Sequence, residues 1–223
     1  MNFLVVLKDQ VINRSTFLYV QLNKGKTLLL FSPEFHLEGQ TLGEIYQSEG
    51  LTALLLFFNR ELDLPVKDYL ELSLTSWDQA VTELFPNGLI IKENGQLIQL
   101  TVSELQRQMR YKIDEKDSFS IFQRQQKILK SFLSEIGKKR HLLKTTQLLK
   151  KYPDLVHTSI QLTQFLTLIR RFVRLKEVPS RKLTLPLADT FRVVQRAQEK
   201  KVIVIDFMKN RNALHQLTME KAN

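Results

Sequence analysis

Gln125 is the polar residue in this sequence whose position asks most of its surroundings. At about 100° per residue, Ile121, Phe122, Ile128, Leu129, Phe132, Leu133 and Ile136 fall in one arc of about 140° on a helix predicted over 119–136. Gln125 lies near the middle of that arc, Arg124 lies on its edge, and Lys127 and Lys130 lie outside it. An amide on a buried face needs partners, because stranding one costs about 1–3 kcal/mol. Gln125 therefore either braces the backbone or lines a site, and the sequence leaves both open.

The charge of the chain points to a class of partner. The net charge is +10, and between Ser118 and Lys182 fifteen Lys or Arg stand against three acids, Glu135, Asp154 and Glu177. A basic half joined to a near-neutral half fits nucleic acid, anionic glycopolymer or a phospholipid surface. The plainer alternative is a set of lysine-rich helix faces in water. Other chemistries are excluded or unsupported. There is no cysteine, so disulfides, zinc–thiolate sites and thiol catalysis are ruled out. His36, His141, His157 and His215 show no metal-ligand spacing, the seven glycines form no phosphate-binding loop, and no serine sits in a nucleophile elbow. The basic helices carry no DNA-reading signature, and lysine and arginine alone are a weak one.

The elements around these residues alternate in type. Residues 3–8, 17–22 and 27–31 are short apolar runs that predict strands, with Asn23-Lys24-Gly25-Lys26 a hairpin turn between the second and third. Residues 41–58 predict a helix, whose run Leu51–Phe58 is apolar enough to expect packing on both sides. Residues 69–74 alternate as a strand, and Ser76 is a plausible cap for a short helix, with Gln79 at its third position. Residues 89–100 hold a second hairpin about Asn94-Gly95, and Thr101 or Ser103 caps the helix after it. Gly137 ends the 119–136 helix. Helices follow over 140–150 and 159–174, the latter with Phe165, Leu168, Ile169, Phe172 and Val173 on one face and Arg170, Arg171 and Arg174 on the other. Strands at 182–187 and 202–205 and a helix over 206–217 complete the chain. The expectation is a single three-layer α/β/α domain over 1–223 with a mixed central sheet and a long tunnel or groove beside it. No apolar run reaches the roughly 18–20 residues of a membrane span. The opening MNFLVVL is too short and lacks the basic flank of a signal peptide, so it reads as a strand.

The order of these elements, with certain short segments, resembles the LytR–CpsA–Psr (LCP) family. The segments are NFLVVLKD, RSTFLYVQL and KTLLLFSPEF in the opening, then LPVKDYLEL, then QRQMRYKIDEKDSFSIFQRQQKIL, and finally LTQFLTLIRRFVRL with RKLTLPL. The resemblance covers roughly residues 2–190, and the MRY and RQQ pieces together are its most specific part. It implies a domain at the extracellular face of the membrane in the cell envelope. There the family transfers phosphoglycopolymers, such as teichoic acid or capsule, from a polyprenyl-pyrophosphate carrier to peptidoglycan. Arginines hold the pyrophosphate and carboxylates hold Mg²⁺, because the transition state spreads negative charge over phosphoryl oxygens.

Carried onto this chain, the resemblance makes Arg110, Arg124 and Gln125 the phosphate-binding residues and Asp9 and Glu34 the candidate Mg²⁺ ligands. Catalytic residues are not assigned. Ser15 precedes Thr16 where a second acid is expected, Pro33-Glu34 stands for Arg-Asp, and Gln108 replaces an arginine. Ser118 and Ile121 replace an acid and an arginine. The expected function is therefore a divergent LCP domain that binds an anionic, lipid-linked glycopolymer, with a membrane surface or partner protein as further candidates and an impaired phosphotransferase site. The alternatives are an active transferase with a rearranged site, and a cytosolic regulator that binds nucleic acid, although no sequence-specific nucleic acid is expected as a partner.

Overall fold

The structure is a computed structural model. It describes residues 1–10, 13–22, 25–37, 39–93, 95–110, 120–175, 178, 180–187, 189–195 and 201–219. Asn23, Lys24, Asn94, Ser118 and Glu177 lie outside the described residues, as do the side chains of Ile121, Phe122, Lys139, Arg140, Phe172 and Val173.

Three strands open the chain: β1 (Asn2–Asp9), β2 (Arg14–Leu22) and β3 (Lys26–Phe31). Two-residue strands β4 (His36–Leu37) and β5 (Gln40–Thr41) lead to helix α1 (Leu42–Arg60). Then come β6 (Asp68–Ser73), α2 (Leu74–Leu84), the hairpin β7 (Leu89–Glu93) and β8 (Gln96–Leu100), and α3 (Val102–Met109). Helices α4 (Ser120–Ile136) and α5 (Lys139–Lys151) precede β9 (His157–Thr158) and α6 (Leu162–Arg174). The chain ends with β10 (Ser180–Leu185), β11 (Phe191–Gln195), β12 (Lys201–Ile205) and α7 (Phe207–Met219).

Six strands form a mixed sheet in the order β10-β3-β2-β1-β6-β9. β1 pairs antiparallel with β2 and β2 with β3, while β6 runs parallel to β1 and β10 parallel to β3. Strands β1, β3, β6 and β10 therefore all end at the same edge. Alternation along each strand sends side chains to opposite faces. Leu4, Val6, Phe17, Tyr19, Leu29 and Phe31 pack against α1 and α7. Phe3, Leu7, Leu18, Val20 and Leu28 face the layer built by α2 to α6. The fold is the expected three-layer α/β/α arrangement around a mixed sheet.

Several boundaries differ from expectation for local reasons. Helix α2 starts earlier, because Ser73 and not Ser76 is its cap: the Ser73 hydroxyl accepts from the Ser76 N–H at 2.9 Å. Thr101 is the cap of α3, with Glu104 closing a capping box, and Thr41 and Glu44 do the same for α1. The apolar run at 51–58 is packed on one side only. Leu54 and Phe58 are buried against the sheet, but Leu56 is 47% exposed. Gly50 kinks this helix at φ 81°, in the left-handed region that favours glycine. The strand at 202–205 has a partner that periodicity did not reveal, the antiparallel β11.

Candidate functional site

The edge where β1, β3, β6 and β10 end collects most of the expected site residues. Asp9 closes β1, and across the antiparallel pair its register partner is Arg14, the first residue of β2. Ser32, Pro33 and Glu34 follow β3 directly, and α2 begins where β6 ends. Crevices at strand carboxyl ends, where the direction of connection reverses, are the usual ligand sites of open α/β sheets. Thr16 stands two pairs in from the Asp9–Arg14 pair at this edge, opposite Leu7, and points into the helical layer.

Gln125 bridges three elements from within α4. It is 2% exposed. Its amide donates to the Met109 carbonyl at the end of α3 at 2.7 Å, and its side-chain oxygen accepts from the Thr16 hydroxyl of β2 at 3.2 Å. The buried amide thus has a partner on each side, and it fixes the α3 terminus that carries Arg110. These two bonds make it a brace between α4, α3 and β2.

Arg110 is held by two acids. Its Nη2 donates to Asp78 of α2 at 2.6 Å, and its Nη1 lies 3.9 Å from Asp9. Asp78 is the residue that the sequence reading missed. Nothing in its spacing marks it, since its partner lies 32 residues away. Burial pushes the Asp78 carboxyl above the usual carboxylate range, Arg110 pulls it back down, and Asp9 pushes it up again. One Asp78 oxygen, Oδ1, is buried without a hydrogen-bond partner among the described residues. Arg124 is half-buried, and its Nε is likewise buried with no partner among the described residues. Glu34 is paired with Arg14, which lies outside the expected site set.

The two carboxylates offered for Mg²⁺, Asp9 and Glu34, each carry a guanidinium counter-ion, Arg110 and Arg14 respectively. Among the described residues, no group of three His, Cys, Asp or Glu is placed to hold a metal ion. Mg²⁺ takes carboxylates in near-octahedral geometry together with substrate oxygens. As held by these arginines, the donor set does not fit it.

Below the charged edge lies an apolar cavity of about 120 Å³ between the sheet and the helical layer, lined by residues that include Phe3, Leu7, Trp77, Leu133, Leu148 and Leu168. Phe3 and Leu7 share one face of β1, so the cavity follows that strand for about 13 Å at about 3.3 Å per residue. Leu7 precedes Asp9 on the same face, and Trp77 precedes Asp78, so its upper end adjoins the charged cluster. Leu129, Phe132, Leu133 and Ile136 of the apolar arc of α4 form one wall. The run at 51–58 takes no part, because α1 packs on the other face of the sheet.

No protein-family model and no curated protein sequence matches the chain. Solved structures do. The chain superposes on TagT bound to LI-WTA with a TM-score of 0.74 and 16% identity, covering 98% of this chain and 89% of that one. For Lin1025 of Listeria innocua the TM-score is 0.73 at 12% identity, with 98% and 97% covered. For Bacillus subtilis TagV it is 0.72 at 15% identity, with 97% and 96% covered. TagT and TagV are LCP-family enzymes, and at these identities the likeness is one of fold. Six mixed strands, the helical layers and these superpositions agree: the chain has the LytR–CpsA–Psr-like fold.

Proposed function

We propose that this chain is an LCP-like cell-envelope protein that binds a lipid-linked anionic glycopolymer and transfers it poorly or not at all. The observation that carries this reading is the adjacency of the apolar cavity to a cluster of charged side chains at the strand ends. A polyisoprenoid or similar chain can bury apolar surface in that cavity, worth about 25 cal/mol per Å² removed from water. Its phosphorylated head then falls beside Arg110 and Arg124. The neighbour TagT, solved with a wall teichoic acid species, supports the class of ligand.

Arg124 is the second cation: its buried Nε has no partner among the described residues, and a phosphate oxygen that reaches it supplies an acceptor with a charge-assisted bond. Gln125 keeps the α3 terminus, and with it Arg110, at the cluster. Binding of an anion needs little more. Transfer needs preorganised positive charge facing the developing phosphoryl charge, and loss of a single donor typically lowers the rate about 10²–10³-fold. Here Arg14 and Arg110 already face carboxylates, and Ser15 and Pro33 replace charged residues of the family pattern.

The test is a paired assay with a polyprenyl-pyrophosphoryl glycopolymer, in Mg²⁺ and in EDTA, scoring binding and transfer to peptidoglycan. The expected result is binding in both buffers, weakened about tenfold by Arg124→Ala, the scale of one charge-assisted hydrogen bond, with transfer near background. Mg²⁺-dependent turnover abolished by Glu34→Gln would establish a rearranged, active transferase instead.

A further inference from the structure

Arg110 is not simply presented to a ligand. It arrives at the strand-end cluster with a strong internal bond, 2.6 Å from Nη2 to Asp78, and with Asp9 at 3.9 Å beyond its other nitrogen. The guanidinium side chain is 37% exposed, whereas Asp78 is 21% and Asp9 5% exposed. The acids are therefore the more enclosed partners, and an arriving solute meets Arg110 first. Asp78 comes from the second turn of α2, which is seated on the sheet by buried Leu74, Trp77 and Val81, so packing fixes the backbone that carries its carboxylate. One of its oxygens has no partner among the described residues.

We propose that Asp78 is a built-in counter-ion for Arg110 that an incoming phosphate or pyrophosphate must displace, so that Asp78 sets the anion affinity of the cluster. The proposal rests on the reading of Arg110 as an anion-binding residue. An anion bonded to Arg110 replaces one carboxylate with another acceptor. The net gain is then the difference between two charge-assisted bonds, less the repulsion between the anion and the Asp78 charge left behind. The cluster thus binds weakly unless the apolar chain of the same ligand contributes as well. It discriminates against free phosphate and in favour of a phosphate that carries a lipid.

A second consequence separates this role from a merely structural one. The charged groups acting on Asp78 are Arg110 from the end of α3 and Asp9 from the end of β1. Burial already holds the Asp78 carboxyl above its usual range, and Arg110 is the group that lowers it. When an anion draws Arg110 away, that lowering is lost and the Asp78 carboxyl is pushed further above its usual range. Anion binding is then linked to proton uptake and tightens as pH falls toward the raised Asp78 range.

The experiment is calorimetric titration of the whole chain with inorganic pyrophosphate at about pH 7.5 and about 50 mM salt, for wild type, Asp78→Asn, Asp78→Ser and Asp78→Asn/Arg110→Gln. Sulfate, which does not titrate between about pH 5 and pH 7.5, is the probe for proton linkage. Expected is about tenfold tighter pyrophosphate binding in both single variants, the scale of one charge-assisted bond. The double variant should lose that gain, and sulfate affinity should rise toward low pH in wild type but less in Asp78→Asn. Unchanged or weaker binding in both single variants, beside wild-type binding that Arg124→Ala still weakens, overturns the counter-ion role and leaves the anion site standing. Binding of neither anion by any variant overturns the anion-site reading itself.

Discussion

Replacing Gln125 with leucine removes the amide that ties α4 to β2 and to the end of α3 while keeping nearly the same volume. Two groups lose their partner. The Met109 carbonyl no longer accepts the 2.7 Å bond, and the Thr16 hydroxyl, itself 3% exposed, no longer donates its 3.2 Å bond. An unsatisfied buried group costs about 1–3 kcal/mol. The better transfer of leucine into an apolar surrounding offsets part of that sum, which leaves a destabilisation of about 3 kcal/mol. For a chain of 223 residues, about 2–4 °C of melting temperature per kcal/mol gives a fall of about 6–12 °C. Thermal melts followed by far-UV circular dichroism measure it, and Thr16→Val alone and with Gln125→Leu completes a double-mutant cycle. In the cycle the Thr16 change should cost less in the leucine background than in wild type. A fall under about 2 °C, or strictly additive effects, would refute the bridging role. Because Met109 precedes Arg110, the same variant should also weaken pyrophosphate binding.

Two further outcomes follow from buried polar atoms elsewhere. The Tyr19 hydroxyl is buried without a partner among the described residues, and burial pushes its ionisation up to about 12. Tyr19→Phe should therefore raise stability by about 1 kcal/mol or leave it unchanged, and a spectrophotometric titration of wild type should show one tyrosine that ionises at about 12 and is missing from the variant. Asp78 has its carboxyl raised, so the folded state binds more protons than the unfolded state above the ordinary carboxylate range, and ionised Asp78 lowers stability there. Asp78→Asn should melt higher than wild type at neutral pH, with the difference shrinking as pH falls through about 4, the ordinary range; a gap that widens toward acid would contradict the sign.

What sequence reasoning reached, and where it stopped, follows the range of each interaction. Short-range signals were readable. Thr101, one of the two caps the sequence offers for α3, lies directly beside the helix it caps, and the Asn94-Gly95 signal sits between the two strands it joins. Ser73 was passed over for Ser76 because either serine fits a cap, and only the end of β6 decides between them. Gln125 was conspicuous because a polar side chain interrupts an apolar arc, yet its partners, Thr16 and Met109, lie 109 and 16 residues away, and only the fold names them. Asp78 gave no signal at all, because an acid in the second turn of an amphipathic helix looks like a solvated one until Arg110 is seen against it. Leu56 misled in the opposite way: an apolar run predicts burial on average, and a helix with one buried face still leaves one member in water.

The central claim is that the cavity beneath the charged edge holds an apolar chain, and Trp77 reports on it directly. It is the only tryptophan in the sequence, it is 0% exposed, and it lines the cavity wall. A bromine-labelled polyprenyl phosphate seated there lies within contact range of the indole and quenches its emission. Ala80 lines the same cavity from the same helix, so Ala80→Phe fills the space without adding a second tryptophan. The account predicts saturable quenching of Trp77 in wild type and its loss in Ala80→Phe, with far-UV circular dichroism unchanged. Measurable binding of the labelled lipid with no change in Trp77 emission, or equal quenching in Ala80→Phe, would contradict it.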